Sequence, residues 1–234
     1  MVDHLLKLPI LFALVDGNSD FIFNTFTGVS EESPVFAFGD NNSSISITDA
    51  TGTTFSDDDN AVQFGDNNSN VTLTNVNLTT HGDDADGVQV GDGNNLFGFT
   101  NVTITTNGND EAGNGADGFD ILQNNTNFTF NDVTIHTRGD DAFGIRVNTD
   151  HDGFDLDDVT ISAEGTAAGG IVLQDGANFS LNNSTFENLF DGDVFNFTNA
   201  CDFEGVLIFW SISTGCRFWP LDVSDQRFGA IMAH

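Results

Sequence analysis

The chain has 234 residues, of which 38% are hydrophobic and 24 are Phe, enough for one domain with a continuous core. Five Lys and Arg stand against 36 Asp and Glu, a formal net charge of −31; so few cations can neither neutralise phosphates nor settle on anionic lipid, which excludes nucleic-acid binding and electrostatic membrane attachment. No apolar run approaches the roughly 18 residues of a membrane helix, so no membrane insertion is expected, and two cysteines, Cys201 and Cys216, make no disulfide framework.

Residues Met1 to Val15 are apolar, but Asp3 and His4 spoil a positive n-region, Pro9 interrupts the run and no small-x-small site follows, all of which argue against a signal peptide. The segment runs directly into a loose first coil from about Phe12, as a chain beginning inside a longer solenoid also would. Residues 1–35 are therefore expected to be an N-terminal cap or first coil.

From Phe36 the chain copies itself. A short apolar strand following an acidic turn starts at Phe36, Val62, Val88, Phe119, Ile145 and Ile171, so the steps are 26, 26, 31, 26 and 26 residues, the long one carrying five extra residues at Glu111 to Gly115. Within each copy the apolar residues alternate with period 2, as in strands with one buried face. They form columns such as Ile45, Val71, Phe97, Phe128, Phe154 and, two residues on, Ile47, Leu73, Phe99, Phe130, Leu156. Corners turn the strands of one coil onto different faces, so each must pair in parallel with its counterpart in the next coil, about 4.8 Å away. The predicted fold is an all-β, right-handed parallel β-helix solenoid of about seven coils of about 26 residues, with three short strands per coil. The repeat domain spans 36–198. After Asn199 the composition changes, both Trp and both Cys occur, and residues 199–234 read as an irregular C-terminal cap or tail.

Four groups of residues are candidates for chemistry or binding. The column Asp49, Asn75, Asn101, Asp132, Asp158 and Asn183 sits at one corner, where Asn and Asp tolerate the backbone geometry and stacked amides bond between coils. The acidic corner supplies Asp57, Asp58, Asp83, Asp84, Asp140 and Asp141 as candidate ligands for Ca²⁺, a hard cation that takes oxygen donors; no cofactor is otherwise required. An outward array holds Thr51, Thr53, Thr79, Thr103, Thr105, Thr134 and Thr160, interrupted by Asn77 and His136, and offers a regular hydroxyl and methyl grid for binding. The weak catalytic candidates are Asp140, Asp141, Asp150 and His151, since two acids act as general acid and base only where a fold sets their spacing. Arg138-Gly139-Asp140 also spells RGD on a turn.

The phrases GDDADGV at 82–88, GDDAFGI at 139–145 and NVTITTNG at 101–108 resemble the passenger-domain repeats of bacterial autotransporters, a branch of the pectin-lyase-like superfold, over roughly Phe36 to Leu173. That resemblance implies a secreted or cell-surface stalk that adheres, binds or displays, without catalytic residues. Asn148-Thr149-Asp150 and Asp140-Asp141 are similar to fragments of the NTD and DD motifs of polygalacturonases, but in reversed order and without the Gly-His-Gly and Arg-Ile-Lys that follow there. The threonine array resembles the TxT face of β-solenoid ice-binding proteins. The expected function is a non-catalytic extracellular or cell-surface module for adhesion, binding or display, whose partner is an extracellular surface, a carbohydrate or a protein. The alternatives are a polysaccharide lyase or hydrolase, whose cleft the Glu111 to Gly115 insertion would build, and an ice binder.

Overall fold

The alternating strands are all parallel in the computed structural model, which describes residues 12–109, 116–174, 176–187, 189, 195–197 and 203–207. In chain order they are β1 (Phe12–Leu14), β2 (Ser19–Ser30), β3 (Phe36–Phe38), β4 (Ser43–Thr54), β5 (Val62–Phe64), β6 (Ser69–Thr80), β7 (Val88–Val90) and β8 (Asn95–Thr106). They continue as β9 (Phe119–Ile121), β10 (Thr126–Thr137), β11 (Phe143–Val147), β12 (His151–Ala163), β13 (Gly169–Leu173), β14 (Gly176–Glu187), β15 (Phe195–Phe197) and β16 (Phe203–Leu207). The short odd-numbered strands form one eight-stranded sheet and the long even-numbered strands another, each in sequence order. Equivalent residues of successive coils pair, as in Ile45 with Val71, Val71 with Phe97 and Phe97 with Phe128. The chain is thus an all-β parallel solenoid, with a coil count close to the seven expected. Met1 to Leu11, the Glu111 to Gly115 insertion, both cysteines and most of 199–234 lie outside the described residues.

Two of the three expected runs are one continuous strand. Each long strand bends at its corner residue, where Asp49, Asn75, Asn101, Asp132, Asp158 and Asn183 adopt φ between 49° and 55°. That left-handed conformation disfavours most side chains and is tolerated by Asn and Asp, whose short polar groups bond locally. The amides also stack: Asn75 Nδ2 donates to Asp49 Oδ1 at 2.9 Å and Asn101 Nδ2 to Asn75 Oδ1 at 2.8 Å. The residues before the bend and those after it therefore present two separate outer faces.

Inside, the predicted columns are the core. Ile45, Ile47, Leu73, Phe97, Phe99, Phe128, Phe130 and Leu156 are all buried. Because equivalent residues lie one strand spacing apart, phenylalanines of one column stack face to face, with centroids 4.9 Å apart for both Phe97–Phe128 and Phe128–Phe154. Each buried Phe contributes about 1.5–3 kcal/mol relative to an exposed one.

The corners are as tightly specified as the core. At the acidic turn Gly82, Gly108, Gly139 and Gly165 form a column in which a Cβ on each would overlap the backbone carbonyl of the coil before. The threonine two residues earlier closes the same turn: Thr80 Oγ1 donates to the Ala85 carbonyl at 2.8 Å and Thr106 Oγ1 to that of Ala116 at 2.7 Å. At the opposite turn a ladder runs along the axis, buried from Asn42 onward. The backbone N–H groups of Asn18, Asn42, Asn68 and Asn94 donate to the side-chain oxygens of Asn42, Asn68, Asn94 and Asn125 at 2.7–2.8 Å. The amide nitrogens of Asn42, Asn68 and Asn94 close on the carbonyls of Gly39, Gly65 and Gly91 at 2.8–2.9 Å. Buried peptide groups that strand pairing leaves over are satisfied this way.

Replacing Asn68 with Leu removes the acceptor of the Asn42 N–H and the donor to the Gly65 carbonyl, so urea unfolding followed by circular dichroism is expected to show a loss of about 2–4 kcal/mol. Gly108→Ala is expected to cost at least about 3 kcal/mol, because the obstructing atom is backbone and cannot rotate away. Wild-type midpoints for both variants would contradict the register described here.

Candidate binding face and the placement of the acids

A strand emerging from a corner sends alternate side chains outward, so the two outward residues after each bend stack in register with those of the next coil. Thr51 pairs with Asn77, Asn77 with Thr103, Thr103 with Thr134 and Thr134 with Thr160; the second rank runs Thr53, Thr79, Thr105, His136, Ser162. Nine of these are the positions singled out as the threonine array, and the structure brings them onto one strand face; the tenth, Ser162, is buried, 2% exposed. The register shift among the long strands falls between Leu181 and Ser184, where β14 pairs β16, beyond this face. None of the ten residues carries a carboxylate, and in these two ranks the first acid is Glu187 in β14. On the neighbouring outer face, before the bend, Ser46, Thr48, Thr72, Thr74, Gly98, Thr100, Thr129 and Asn131 give way to Asp155 and Asp157 in β12. An open groove of about 240 Å³ lies there between Asp20, Ser44, Ser46 and Asn70, smaller than the pockets that enclose small ligands.

Many of the other acids sit at the corners, where they accept a backbone N–H of the next coil or supply a left-handed residue. In the acidic turn Asp57 Oδ1 accepts the Asp83 N–H at 3.0 Å, Asp83 Oδ1 that of Asn109 at 2.8 Å and Asp140 Oδ1 that of Thr166 at 2.7 Å. The second acid of each pair supplies the left-handed residue: Asp58, Asp84 and Asp141 have φ of 61°, 53° and 57°, and Ala167 takes the same role with 58°. A parallel row at the other turn links Asp16, Asp40, Asp66 and Asp92, each accepting the next coil's N–H at 2.8–2.9 Å. One oxygen per coil of each row is therefore committed to the fold, and the candidate calcium ligands form rows, with no convergent cage. Among the described residues no group of three or more His, Cys, Asp or Glu is placed to hold a metal ion.

The catalytic candidates do not converge either. Asp140 and Asp141 lie at the turn before β11, Asp150 and His151 at the turn after it. A five-residue strand spans about 16 Å, beyond the separation at which two carboxylates share a glycosidic bond. Asp150 is itself a left-handed corner residue with φ 62°, and His151 is the sixth member of the internal asparagine ladder, 3% exposed, with Nδ1 3.3 Å from the Asn125 N. The RGD tripeptide is locked into the same framework. Arg138 bonds Asn107 at 2.9 Å, Gly139 sits where a Cβ would overlap the Gly108 carbonyl, and Asp140 is held from both sides by the ladder.

A buried ionic cluster was not anticipated from sequence. Asn60, Asp86 and Asp117 form a column beneath the acidic turn, with the Asp86 N–H on Asn60 Oδ1 at 2.6 Å and the Asp117 N–H on Asp86 Oδ1 at 2.9 Å. Arg146 Nε reaches Asp117 Oδ2 at 2.5 Å, and its guanidinium carbon lies 4.9 Å from the centre of the Phe143 ring. Burial, opposed by Arg146 and the Phe143 N–H, pushes Asp117 up to about 7. Burial and the charges of Asp117 and Asp120 raise Asp86 well above the carboxylate range, and its Oδ2 has no hydrogen-bond partner. Burial lowers His151 to about 4, against smaller opposing effects of backbone hydrogen bonds at Asn125 and Leu122. The recurring GDNN and GDGN at 39–42, 65–68 and 91–94 signal the asparagine ladder in the sequence. No local pattern signals the Asp86 cluster, because its members come from three coils.

Scans against protein-family models, curated proteins and solved structures return no match for this chain.

The buried groups give opposite pH dependences. Asp86 and Asp117 bind protons more tightly folded than unfolded, so the stability they confer is complete below about pH 4 and is lost as pH rises through their raised folded values, about 7 for Asp117. His151 binds its proton less tightly folded, so its contribution is present above about 6.5 and is lost as pH falls through about 4, on the order of 3 kcal/mol across that window. Asp86→Asn is expected to raise the melting temperature at pH 8 and flatten the decline above pH 5. His151→Asn, which restores the ladder residue, is expected to flatten the acid limb. Melting profiles from pH 4 to 8 check both, and profiles parallel to wild type would refute the assignments.

Proposed function

We propose that the protein is a non-catalytic extracellular or cell-surface module that binds or displays through the threonine face of β4 to β12. The observation that carries this reading is the segregation of charge. A chain of net charge −31 keeps nine outward positions, from Thr51 to Thr160 and from Thr53 to His136, free of carboxylates, in two ranks repeated coil after coil. A face with no pocket offers many weak equivalent contacts, which suits an extended partner. The repeat phrases at 82–88 and 139–145 resemble autotransporter passenger repeats, which favours a surface stalk. Against a polysaccharide lyase or hydrolase stand the separation of Asp140 and Asp141 from Asp150 by the length of β11 and the engagement of their oxygens or backbones in the corners. The acidic rows act in this reading as solvated turn charge, with calcium a counterion rather than a cofactor.

The test compares wild type, Thr103→Lys on this face and Thr74→Lys on the neighbouring one for retention on solid carbohydrate, immobilised extracellular-matrix protein and ice. At least tenfold weaker retention of Thr103→Lys on one of these surfaces, with Thr74→Lys unchanged, is expected. Release of oligosaccharides from polygalacturonate that disappears in Asp140→Asn or Asp150→Asn would overturn the non-catalytic reading.

A further inference from the structure

We infer that the threonine face takes a glycan whose chain is neutral and carries an isolated carboxylate, seated on Arg138 and His136; this rests on the binding role assigned to that face. Among the described residues five are Arg or His and none is Lys. Arg146 is held by Asp117, and His151 is buried in the asparagine ladder. The other three, His81, His136 and Arg138, all stand on the threonine face, within three successive coils. The outward ranks of the neighbouring face, before the bend, hold no basic residue from β4 to β12.

A third outward rank borders the other two, two residues further along each strand: Phe55, His81, Asn107, Arg138 and Glu164. It keeps the parallel register, because the N–H groups of His81, Asn107, Arg138 and Glu164 donate to the Thr54, Thr80, Thr106 and Thr137 carbonyls at 2.9–3.1 Å. Its side chains touch in a line. The Phe55 ring lies flat against His81 with centroids 4.7 Å apart, Asn107 Nδ2 is 3.5 Å from His81 Nδ1, and Asn107 Oδ1 accepts from Arg138 at 2.9 Å. Asn107 is itself fixed, since its Nδ2 donates to the Thr80 carbonyl at 2.8 Å. One of the five guanidinium N–H donors thus holds Arg138 in place. Its contact with Glu164 is long, 3.9 Å, and half exposed on both sides, a kind of pair that contributes little. A fork held in advance grips a carboxylate through two parallel bonds at a smaller entropy cost. His136, two residues before Arg138 and about 6.7 Å from it along the strand, adds an imidazole donor.

The charge of the molecule selects what carries the carboxylate. A polyanion would be repelled along its length by a body of net charge −31, and by the acidic row Asp57, Asp83 and Asp140 two residues beyond the third rank. A single carboxylate meets only the basic groups. The rest of the ligand faces threonine hydroxyls and methyls. Phe55, 49% exposed and three strand spacings, about 14 Å, from Arg138, offers an aromatic surface to the C–H face of a neutral sugar. A protein partner would need a cluster of large anchors, and Phe55 stands alone.

Binding of the full chain is measured by titration calorimetry against three probes: an oligosaccharide ending in sialic acid, the same oligosaccharide without it, and polygalacturonate. Circular dichroism confirms that each variant folds. Wild type is expected to bind the sialylated probe at least tenfold more tightly than the other two. Arg138→Gln is expected to lose at least tenfold, and Asn107→Ala and His136→Thr severalfold, whereas Thr74→Lys keeps wild-type affinity and Glu164→Gln tightens binding. Equal binding of all three probes, tightest binding of polygalacturonate, or a folded Arg138→Gln that binds as wild type does would overturn the inference. The last result would leave Arg138 as a partner of Asn107 and Glu164 alone. If no probe binds but Thr103→Lys weakens retention on solid carbohydrate or matrix protein, the face is a binding face and only its assigned partner falls. If neither is seen, both readings fall.

Discussion

The structure depends on one constraint, the parallel pairing of each residue with the residue one coil later. Strand backbones meet this requirement for themselves, but a solenoid must also carry the pairing around its turns, where the peptide groups are irregular. Here side-chain oxygens take over: Asp16, Asp40, Asp66 and Asp92 together with the internal asparagines at one turn, and Asp57, Asp83 and Asp140 at the other. Each bond runs from one coil to the next, so an error of one residue breaks every ladder together. The glycine column at 82, 108, 139 and 165 reinforces this, because only there can successive turns approach closely enough.

The same constraint explains the unusual composition. A corner that needs a left-handed residue and an acceptor for the next coil's N–H is best filled by Asn or Asp, and several such positions occur in every coil. Much of the acidity of the chain is thus a by-product of how its turns are built, which also explains why Ala167 can stand where Asp58, Asp84 and Asp141 stand elsewhere. The outward positions of the threonine face owe nothing to the ladders, so their freedom from carboxylates needs a separate cause. That contrast makes the threonine face conspicuous.

Period and alternation made the fold legible in the sequence, since the spacing of Val62, Val88, Phe119 and Ile145 translates directly into strand pairs. The corner column from Asp49 to Asn183 was legible for the same reason, as was the threonine array. The continuity of each long strand through its bend was not, because a left-handed Asn within a strand and one that ends a strand look alike in sequence. His151 looked like a scarce titratable group near acids, and only the ladder shows that it replaces an asparagine. The Asp86, Asp117 and Arg146 cluster was hidden because it requires knowing which outward and inward positions meet across a turn, and the spacing there is disturbed by the five-residue insertion.

The rows of corner aspartates give the rod a further property. Where successive coils carry an acid, unit charges recur about every 4.8 Å along an edge, less than the roughly 7 Å at which two charges in water interact with an energy of RT. A line of charge that dense gathers a loosely held sheath of mobile cations, as a nucleic-acid backbone does. The solenoid is in this respect a folded polyelectrolyte: its edges draw territorially held ions, and the electrostatic strain of stacking its coils varies with the logarithm of salt concentration.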